Sequence, residues 1–297
     1  AIEQLNMSPC DSIIDSPFTI PVGRHHVTET WTPRNSNNTY LGMVTLKKAL
    51  ANSINTVSAK LIDKVGPEAV IKLTHKLGVK TDIPAQPSIA LGAVDITVEE
   101  MVAAYSTFAN QGVYNKPQFL SRIEDKSGVV IYEPIPESHD VLNKDIAFAV
   151  IKLLEGVTEG GSGSRLRTEY GGSGDKRWTG YPYMFTNPIA GKTGTTQNQS
   201  DGWFMGMVPN LVTGVWVGCE DRSARFKSLT YGQGATAALP VWGYFMKLCY
   251  EDPNLKVSKE PFDRPANLSI KVDCYQPRKV NDSIAKDSIQ STDEFEF

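Results

Sequence analysis

The segment from residue 188 to residue 219 restricts the possible folds more than any other part of the chain. It reads PIAGKTGTT, a short polar connection, DGWFMGMV, a Pro209-Asn210 turn and LVTGVWVGC. The last two stretches are rich in β-branched and aromatic residues and are joined by a two-residue turn, which predicts an antiparallel hairpin. The sequence therefore predicts a fold that contains an antiparallel sheet.

Amphipathic helices are predicted upstream of this segment. Apolar residues recur at steps of three and four over residues 45–65, and Gly66-Pro67 ends the run. Residues 52–56 within it are polar, and such side chains compete for backbone groups inside a helix. Two helices broken near Ser53 are therefore as well supported as one.

Other elements follow from capping signals and periodicity. A helix that begins at Thr97 has a capping box with Glu100 and a stop at Gly112. The remaining expected elements are a helix over residues 67–77, a hairpin over 119–133, and helices over 144–155 and from about residue 236. Two stretches are expected to be irregular, namely the turn-rich residues 1–40 and the glycine-rich residues 156–187. The second is interpreted as either a long, mobile loop or a flap beside another part of the fold.

Composition limits the class of protein and its organisation. With 297 residues, 40% of them hydrophobic, the chain can bury a substantial core. Lys and Arg number 30 against 33 Asp and Glu, so the basic surplus of a nucleic-acid binder is missing, and no apolar run has the length of a membrane helix.

No C-x-x-C or H-E-x-x-H occurs, so no metal site is expected, and the four cysteines are too few for a disulfide framework. We expect one domain over residues 1–275, a disordered acidic tail over residues 276–297, and, without an initiator Met or signal peptide, a piece of a longer protein.

The most specific motif is GKTGTT, which starts at Gly191. A phosphate-binding loop needs a glycine five places before Gly191, but Thr186 stands there and Pro188 follows, which argues against that interpretation. K-T-G on a strand is the third element of the S-x-x-K, S-x-N and K-T-G set of serine acyl-transferases. In that chemistry Lys192 supplies a fixed ammonium, and Thr195 offers its N–H to an oxyanion and its hydroxyl to a carboxylate. An ordinary strand with a solvated lysine is the simpler alternative.

The S-x-N element has two candidates. Ser36-Asn37-Asn38 lies in an Asn-rich turn, where the side chains are expected to make local bonds. Ser53-Ile54-Asn55 lies at the expected break between amphipathic helices, where a polar pair can face a cleft. We therefore favour Ser53 and Asn55.

Over about residues 5–250 the order of segments resembles the transpeptidase domain of class A penicillin-binding proteins. The resemblance is carried by DSPFTIPVG, TLKKALANSINTVSAKL, IALGAVDITVEEMVAAYSTFANQGVY, GKTGTTQNQSDGWFMGMVPNLVTGVWVG and YGQGATAALPVWGYFM. It implies an α+β fold, in which an antiparallel sheet is flanked by helices and joined by a helical subdomain, as in penicillin-binding transpeptidases and β-lactamases. It also implies that stem peptides of peptidoglycan are cross-linked through a seryl acyl-enzyme, and that β-lactam antibiotics bind the same site.

The resemblance further implies roles for individual residues and a place in the cell. Ser53 relays a proton, Asn55 orients the acyl donor and Lys192 acts beside them. Thr193, Gly194 and Thr195 line the substrate site, and no metal or organic cofactor is implied. The parent protein would carry a glycosyltransferase domain and a membrane anchor, both missing from this chain, on the periplasmic side of the bacterial inner membrane.

The chain departs from the family pattern in its nucleophile. The family places S-x-x-K before S-x-N, but here S-x-x-K occurs only later, at Ser173 and Ser283. Neither a flexible loop nor a disordered tail can hold the required helical Ser-Lys geometry, so both are interpreted as chance matches. We therefore expect the nucleophile helix and the first sheet strands to lie upstream of Ala1, which leaves LVTGVWVGC without one neighbour and the chain alone inactive.

Two other functions remain open at this stage. A β-lactamase or D,D-carboxypeptidase would pass the acyl group to water, and the response to penicillin would separate it from a transferase by turnover against a lasting adduct. A non-catalytic module that senses β-lactams or cell-wall peptides would also fit a chain without a nucleophile.

Overall fold

The computed structural model describes residues 1–167 and 183–274, and it has the expected mixture of helices and antiparallel sheets. The helices are α1 (Ile2–Leu5), α2 (Leu46–Ala51), α3 (Asn55–Val65), α4 (Pro67–Lys76), α5 (Val98–Ala109), α6 (Lys144–Gly160), α7 (Leu229–Gly232), α8 (Gly234–Ala237) and α9 (Leu239–Glu251). The strands are β1 (Ser12–Asp15), β2 (Gly42–Thr45), β3 (Val113–Asn115), β4 (Ile123–Glu124), β5 (Val130–Tyr132), β6 (Ser138–Asp140), β7 (Ala190–Thr195), β8 (Gly202–Val208) and β9 (Leu211–Val217). Within the described ranges, no helix combines the length and the apolar character that crossing a bilayer requires. The expected tail at residues 276–297 lies outside the described residues.

The largest sheet has the strand order β7-β8-β9, and both pairings are antiparallel. The hairpin predicted around Pro209-Asn210 is confirmed, with Val208 opposite Leu211. In the described part of the chain β9 pairs with β8 alone.

Helices cover both faces of this sheet because the side chains of β8 alternate. Phe204 packs with Trp242 of α9 on one face, and Met207 packs with Phe148 of α6 on the other. Gly206 has to be a glycine, since a Cβ there would lie 2.4 Å from the Trp242 ring. The sheet is thus the middle layer of the fold.

The helical subdomain contains the break that the sequence left open. α2 ends at Ala51 and α3 begins at Asn55, so the two-helix interpretation is correct. α5 starts with the predicted capping box, in which the Thr97 hydroxyl accepts from the Glu100 N–H and the Glu100 carboxylate accepts from the Thr97 N–H.

Two expectations of irregular structure were wrong in part. Residues 1–40 contain β1, which pairs antiparallel with β2, and a four-residue strand whose partner lies thirty residues away leaves little periodicity to detect. The stretch 156–187 begins inside α6, which runs to Gly160. Gly156 serves close packing there, because a Cβ would meet the Lys47 side chain at 2.9 Å. Residues 168–182 of that expected loop, with Ser173, lie outside the described residues.

Two of the four cysteines form a disulfide, which the number of cysteines alone did not predict. Cys10 and Cys274 form a disulfide across 264 residues of sequence, with their Cα atoms 5.0 Å apart. Pairing depends on which thiols the fold brings together, and a count holds no such information. Cys219 and Cys249 are free thiols.

Candidate active site

Ser53 lies in the short connection between α2 and α3, in a left-handed backbone conformation with φ 54°. The end of α2 holds it there, since the Ser53 N–H donates to the Leu50 carbonyl and the Ile54 N–H to the Ala49 carbonyl. A residue other than glycine in this conformation stores strain, and such positions concentrate at functional sites. The exposed Ser53 side chain points away from the core towards β7.

Lys192 of β7 meets Ser53 across 139 residues of sequence. Its Nζ donates to Ser53 Oγ at 3.0 Å and to the Thr193 carbonyl at 2.7 Å. Burial lowers the pKa of Lys192 to about 8 from its usual 10.5. The lysine is therefore held by protein atoms rather than solvated, which removes the simpler alternative for this residue.

Thr193 is tied to a residue that the sequence reasoning missed. Its hydroxyl lies 2.6 Å from Ser162 Oγ, and the Ser162 N–H donates to the Ala51 carbonyl at the end of α2. Gly161 permits this approach, because a Cβ would lie 2.2 Å from the Ala51 oxygen. Ser162 thus bridges the strand that carries Lys192 and the helix that leads into Ser53. It lies in a glycine-rich stretch with no motif spacing, so no sequence signal identifies it.

Gly194 and Thr195 form the end of β7 that contacts the start of α8. The Thr195 hydroxyl accepts from the Gly234 N–H at 3.0 Å, and a Cβ on Gly234 would lie 2.3 Å from the Gly194 carbonyl oxygen. A side chain at position 194 would in turn meet Trp203 Cβ at 2.9 Å. Both glycines thus allow two backbone segments to touch at this end of the strand.

A carboxylate anchors the chain directly after Thr195. Asp201 accepts from Ser200 Oγ at 2.8 Å, Trp216 Nε1 at 3.0 Å and Thr196 Oγ1 at 3.1 Å. Burial alone would raise the pKa of Asp201, but these hydrogen bonds and the nearby Arg222 hold it below its usual value. The charged form is thus favoured, and it fixes the turn that closes the β7-β8 pair.

Asn55 is the first residue of α3, two positions from Ser53. Its side-chain amide donates to the Arg34 carbonyl at 2.8 Å, and no hydrogen bond among the described residues joins it to Lys192. Ser36, the rejected alternative, is exposed in the neighbouring loop. The structure therefore brings Ser53, Lys192 and Thr193 into one chain of hydrogen bonds, with Thr195 at the far end of the strand and Asn55 at the rim.

This arrangement suits acyl transfer at an exposed strand edge. β7 has β8 on one side and, within residues 1–167 and 183–274, no strand on the other. Lys192 donates to Ser53 Oγ, which leaves the serine hydroxyl proton free to move towards a reacting group.

Comparisons with known proteins were made on sequence and on fold. The family described as "Penicillin binding protein transpeptidase domain" matches residues 1–233. Penicillin-binding protein 1A of Aquifex aeolicus is 37% identical over 220 residues, which are 74% of this chain and 28% of that protein. The protein of the same name from Pseudomonas aeruginosa is 31% identical over 300 residues, covering 84% of this chain and 34% of that one. This chain thus spans about a third of the length of these relatives.

Solved structures resemble the fold. The crystal structure of penicillin-binding protein 1A from Haemophilus influenzae superposes with a TM-score of 0.74 at 23% identity, covering 88% of this chain and 41% of that one. The PonA1 protein from Mycobacterium tuberculosis, in complex with penicillin V, superposes with a TM-score of 0.72 at 22% identity, covering 93% and 72% of the two chains.

Proposed function

This chain belongs to the family of penicillin-binding protein transpeptidase domains, and on that premise we propose that it is the part of a longer parent protein that cross-links peptidoglycan stem peptides through a seryl acyl-enzyme. The observation that carries the proposal is the 3.0 Å hydrogen bond from Lys192 Nζ to Ser53 Oγ. Lys192 has a lowered pKa and contacts Ser53, which is strained and comes from a segment distant in sequence. This combination is typical of a functional site and is not expected of an ordinary surface strand.

The donor would be a stem peptide that ends in D-Ala-D-Ala. Its backbone lies along the open edge of β7, and its terminal carboxylate is held by the Lys192 ammonium with the hydroxyls of Thr193 and Thr195. The nucleophilic serine attacks the penultimate carbonyl, terminal D-alanine leaves, and an amine on a neighbouring strand then takes the acyl group. β-Lactams acylate the same serine as substrate mimics.

Ser53 would move a proton between the attacking serine and the leaving nitrogen. Because Lys192 already donates to its oxygen, the Ser53 proton is available to the leaving group. Asn55 would orient the donor at the rim of the site. The nucleophile itself is a Ser-x-x-Lys serine, and residues 1–167 and 183–274 hold no such motif.

The parent protein would act on the periplasmic side of the inner membrane and carry a glycosyltransferase domain, as the resemblance to class A proteins implies. The Cys10–Cys274 disulfide supports an oxidising compartment, to which the bacterial periplasm belongs.

Intact-mass spectrometry after penicillin treatment tests this function. The parent protein should gain the mass of one penicilloyl group that persists, whereas the 297 residues alone should gain none. Rapid loss of the adduct would favour a β-lactamase or carboxypeptidase. A parent protein that binds penicillin without a covalent adduct would favour the sensing module, and an adduct on Ser173 or Ser283 of the 297-residue chain would identify a nucleophile that we reject.

A further inference from the structure

Three polar side chains are buried together beneath the Ser53 loop. Asp15 at the end of β1 is 1% exposed, Asn35 7% and Thr56 0%. The Thr56 hydroxyl donates to Asp15 Oδ1 at 2.5 Å, and Asn35 Nδ2 donates to the same oxygen at 2.9 Å. Asp15 Oδ2 accepts from the Leu41 N–H at 2.8 Å, so both carboxylate oxygens have donors. A buried polar cluster so completely paired defines one rigid arrangement.

This cluster caps α3 from outside the helix. The residue at the N-cap position is Ile54, whose side chain cannot accept a hydrogen bond. Asn35 Oδ1 supplies the missing acceptor, since the Thr56 N–H donates to it at 3.2 Å. The preceding residue, Arg34, adds a second contact to α3, because its carbonyl accepts from the side-chain amide of Asn55.

The cap also limits where Ser53 can lie. Ser53 is separated from Thr56 by two residues, and its left-handed φ of 54° is unfavourable for serine. The hydrogen bonds at the end of α2 hold it from one side, and the start of α3 holds it from the other. If the start of α3 were released, the strain could relax by a shift of this connection, and Ser53 Oγ would lose its position against Lys192.

The charge of Asp15 completes the cluster. Burial alone would raise its pKa, but the hydrogen bonds from Thr56, Asn35 and the Leu41 N–H, with Lys60 nearby, lower it below the usual value. Lys60 Nζ donates to the Ile14 carbonyl at 2.8 Å and to Ser16 Oγ at 2.7 Å, so the lysine clamps the end of β1 beside the carboxylate.

We propose that Asp15, Asn35 and Thr56 form a positioning element for the reaction, which acts through Ser53 and Asn55 and touches no substrate. The inference rests on the proposed acyl transfer. Neither the segment match nor the motif set assigns these three residues a task.

The decisive variant pair is Thr56→Val against Thr56→Ser in the parent protein. Valine has the shape of threonine but cannot donate to Asp15, whereas serine keeps the hydroxyl. Penicillin acylation is measured by stopped flow, which separates the first-order acylation constant from the dissociation constant of the preceding complex. Thr56→Val should lower the acylation constant about 10- to 100-fold, the scale of a small misplacement of a reacting group, with little change in the dissociation constant. Thr56→Ser should recover most of the rate.

A second pair keeps the test independent of Thr56. Asn35→Asp retains the size of the side chain and the oxygen that accepts from α3. It replaces the amide that donates to the Asp15 carboxylate and the Thr39 carbonyl by an oxygen, which repels both. It should be impaired like Thr56→Val, while Ser36→Ala, an exposed neighbour in the same loop, should match the parent. Thermal melting of each variant identifies any that fails to fold.

The last measurement places Thr56→Val in a Ser53→Ala background. If Thr56 acts through Ser53, Thr56→Val should lower the acylation rate only slightly further once Ser53 is replaced by Ala. The two rate effects should therefore not multiply. Fully multiplicative effects, or parent-like acylation by both Thr56→Val and Asn35→Asp, would overturn the inference while leaving the proposed function intact. A parent protein that forms no adduct at all would overturn the proposed function and the inference with it.

Discussion

At the scale of single residues, the strained Ser53 is the part of the site whose role is most open to direct test. Replacing Ser53 by Ala in the parent protein should slow penicillin acylation by roughly 10²–10⁴, the usual effect of losing a proton-transfer group. Ser36→Ala should change the rate little, because Ser36 is exposed and no hydrogen bond among the described residues joins it to Lys192. The check is the acylation rate of both variants, and equal effects would contradict the assignment of Ser53.

Lys192 should make the rate depend on pH in a particular direction. Burial lowers its pKa to about 8, so it carries its charge below that pH and loses it above. An ammonium that holds the substrate carboxylate then predicts acylation that declines as the pH rises through about 8. Rates measured on both sides of this pH test the sign, and a rate that instead increased would mean that neutral Lys192 acts as a base.

Two variants separate charge from shape at this position. Lys192→Arg should keep its charge above pH 8 and flatten the decline, at a reduced rate because the guanidinium fork differs in shape. Lys192→Ala should be slower than Lys192→Arg at neutral pH. An Ala variant as fast as the parent would remove Lys192 from the reaction.

The sequence identified some residues of the site and left others undetected. Ser53 and Lys192 could be paired because each belongs to a motif that demands a partner. Ser162 and Asn35 could not, because their importance comes from contacts between segments far apart in sequence, and the residue types around them are those of any turn. A hydrogen bond between distant segments produces no repeating pattern in the sequence from which it could be predicted.

At the scale of elements, α5 shows how far local signals carry. Its start was predictable from Thr97 and Glu100, yet the same carboxylate also accepts from the N–H groups of Lys80 and Thr81. Burial opposes ionisation, but these bonds together lower the pKa of Glu100 to about 2 from 4.5. One side chain therefore joins the helix to the loop after α4.

This carboxylate predicts an acid-sensitive helix. A lowered pKa contributes stability above pH 4.5 that is lost as the pH falls towards 2. Hydrogen exchange of the α5 amides in the parent protein should accelerate relative to the intrinsic rate over that range, and Glu100→Gln should remove most of the dependence. Glu99→Gln, at an exposed neighbouring site, should retain it. The same pH dependence in both variants would contradict this account.

Sequence reasoning missed the strand β1 and the last turn of α6, and the two share one property. β1 is short and pairs with a strand thirty residues on, and α6 continues through Gly156, a residue type that usually ends helices. In each case a tertiary contact overrides a local preference: β1 packs through Ile13 on the α2–α3 layer, and Gly156 lets α6 approach Lys47. The long periodic helices and the β8-β9 hairpin could be predicted from local sequence patterns alone.

At the scale of the whole molecule, the surfaces that favour association include one strand edge and one helix face of the described part of the chain. β9 pairs on one side only, and α9 exposes an apolar stripe along one face. The stripe consists of Val241, Tyr244, Phe245 and Leu248, each about half exposed or more. An open strand edge beside an exposed apolar helix face is a site of self-association.

The 297 residues on their own should therefore associate as their concentration rises. Sedimentation or light scattering of the isolated chain measures this, and Leu248→Lys, which places a charge in the stripe at a side chain 65% exposed, should reduce it. Thr28→Lys, at an exposed position outside α9 and β9, adds the same charge; it is the matched control and should associate like the unmodified chain. A monomer with a sharp melt at all concentrations would show that the sheet and α9 need no cover.

The disulfide between Cys10 and Cys274 has a mechanical consequence. Its two cysteines enclose nearly the whole described fold, with their Cα atoms 5.0 Å apart. A pull exerted between the chain before Cys10 and the chain after Cys274 is carried by the sulfur–sulfur bond, and the hydrogen bonds of the elements between the two cysteines, from β1 to α9, bear none of it. Tension transmitted along the polypeptide would thus bypass these elements, and the 3.0 Å contact between Lys192 and Ser53 would stay unloaded.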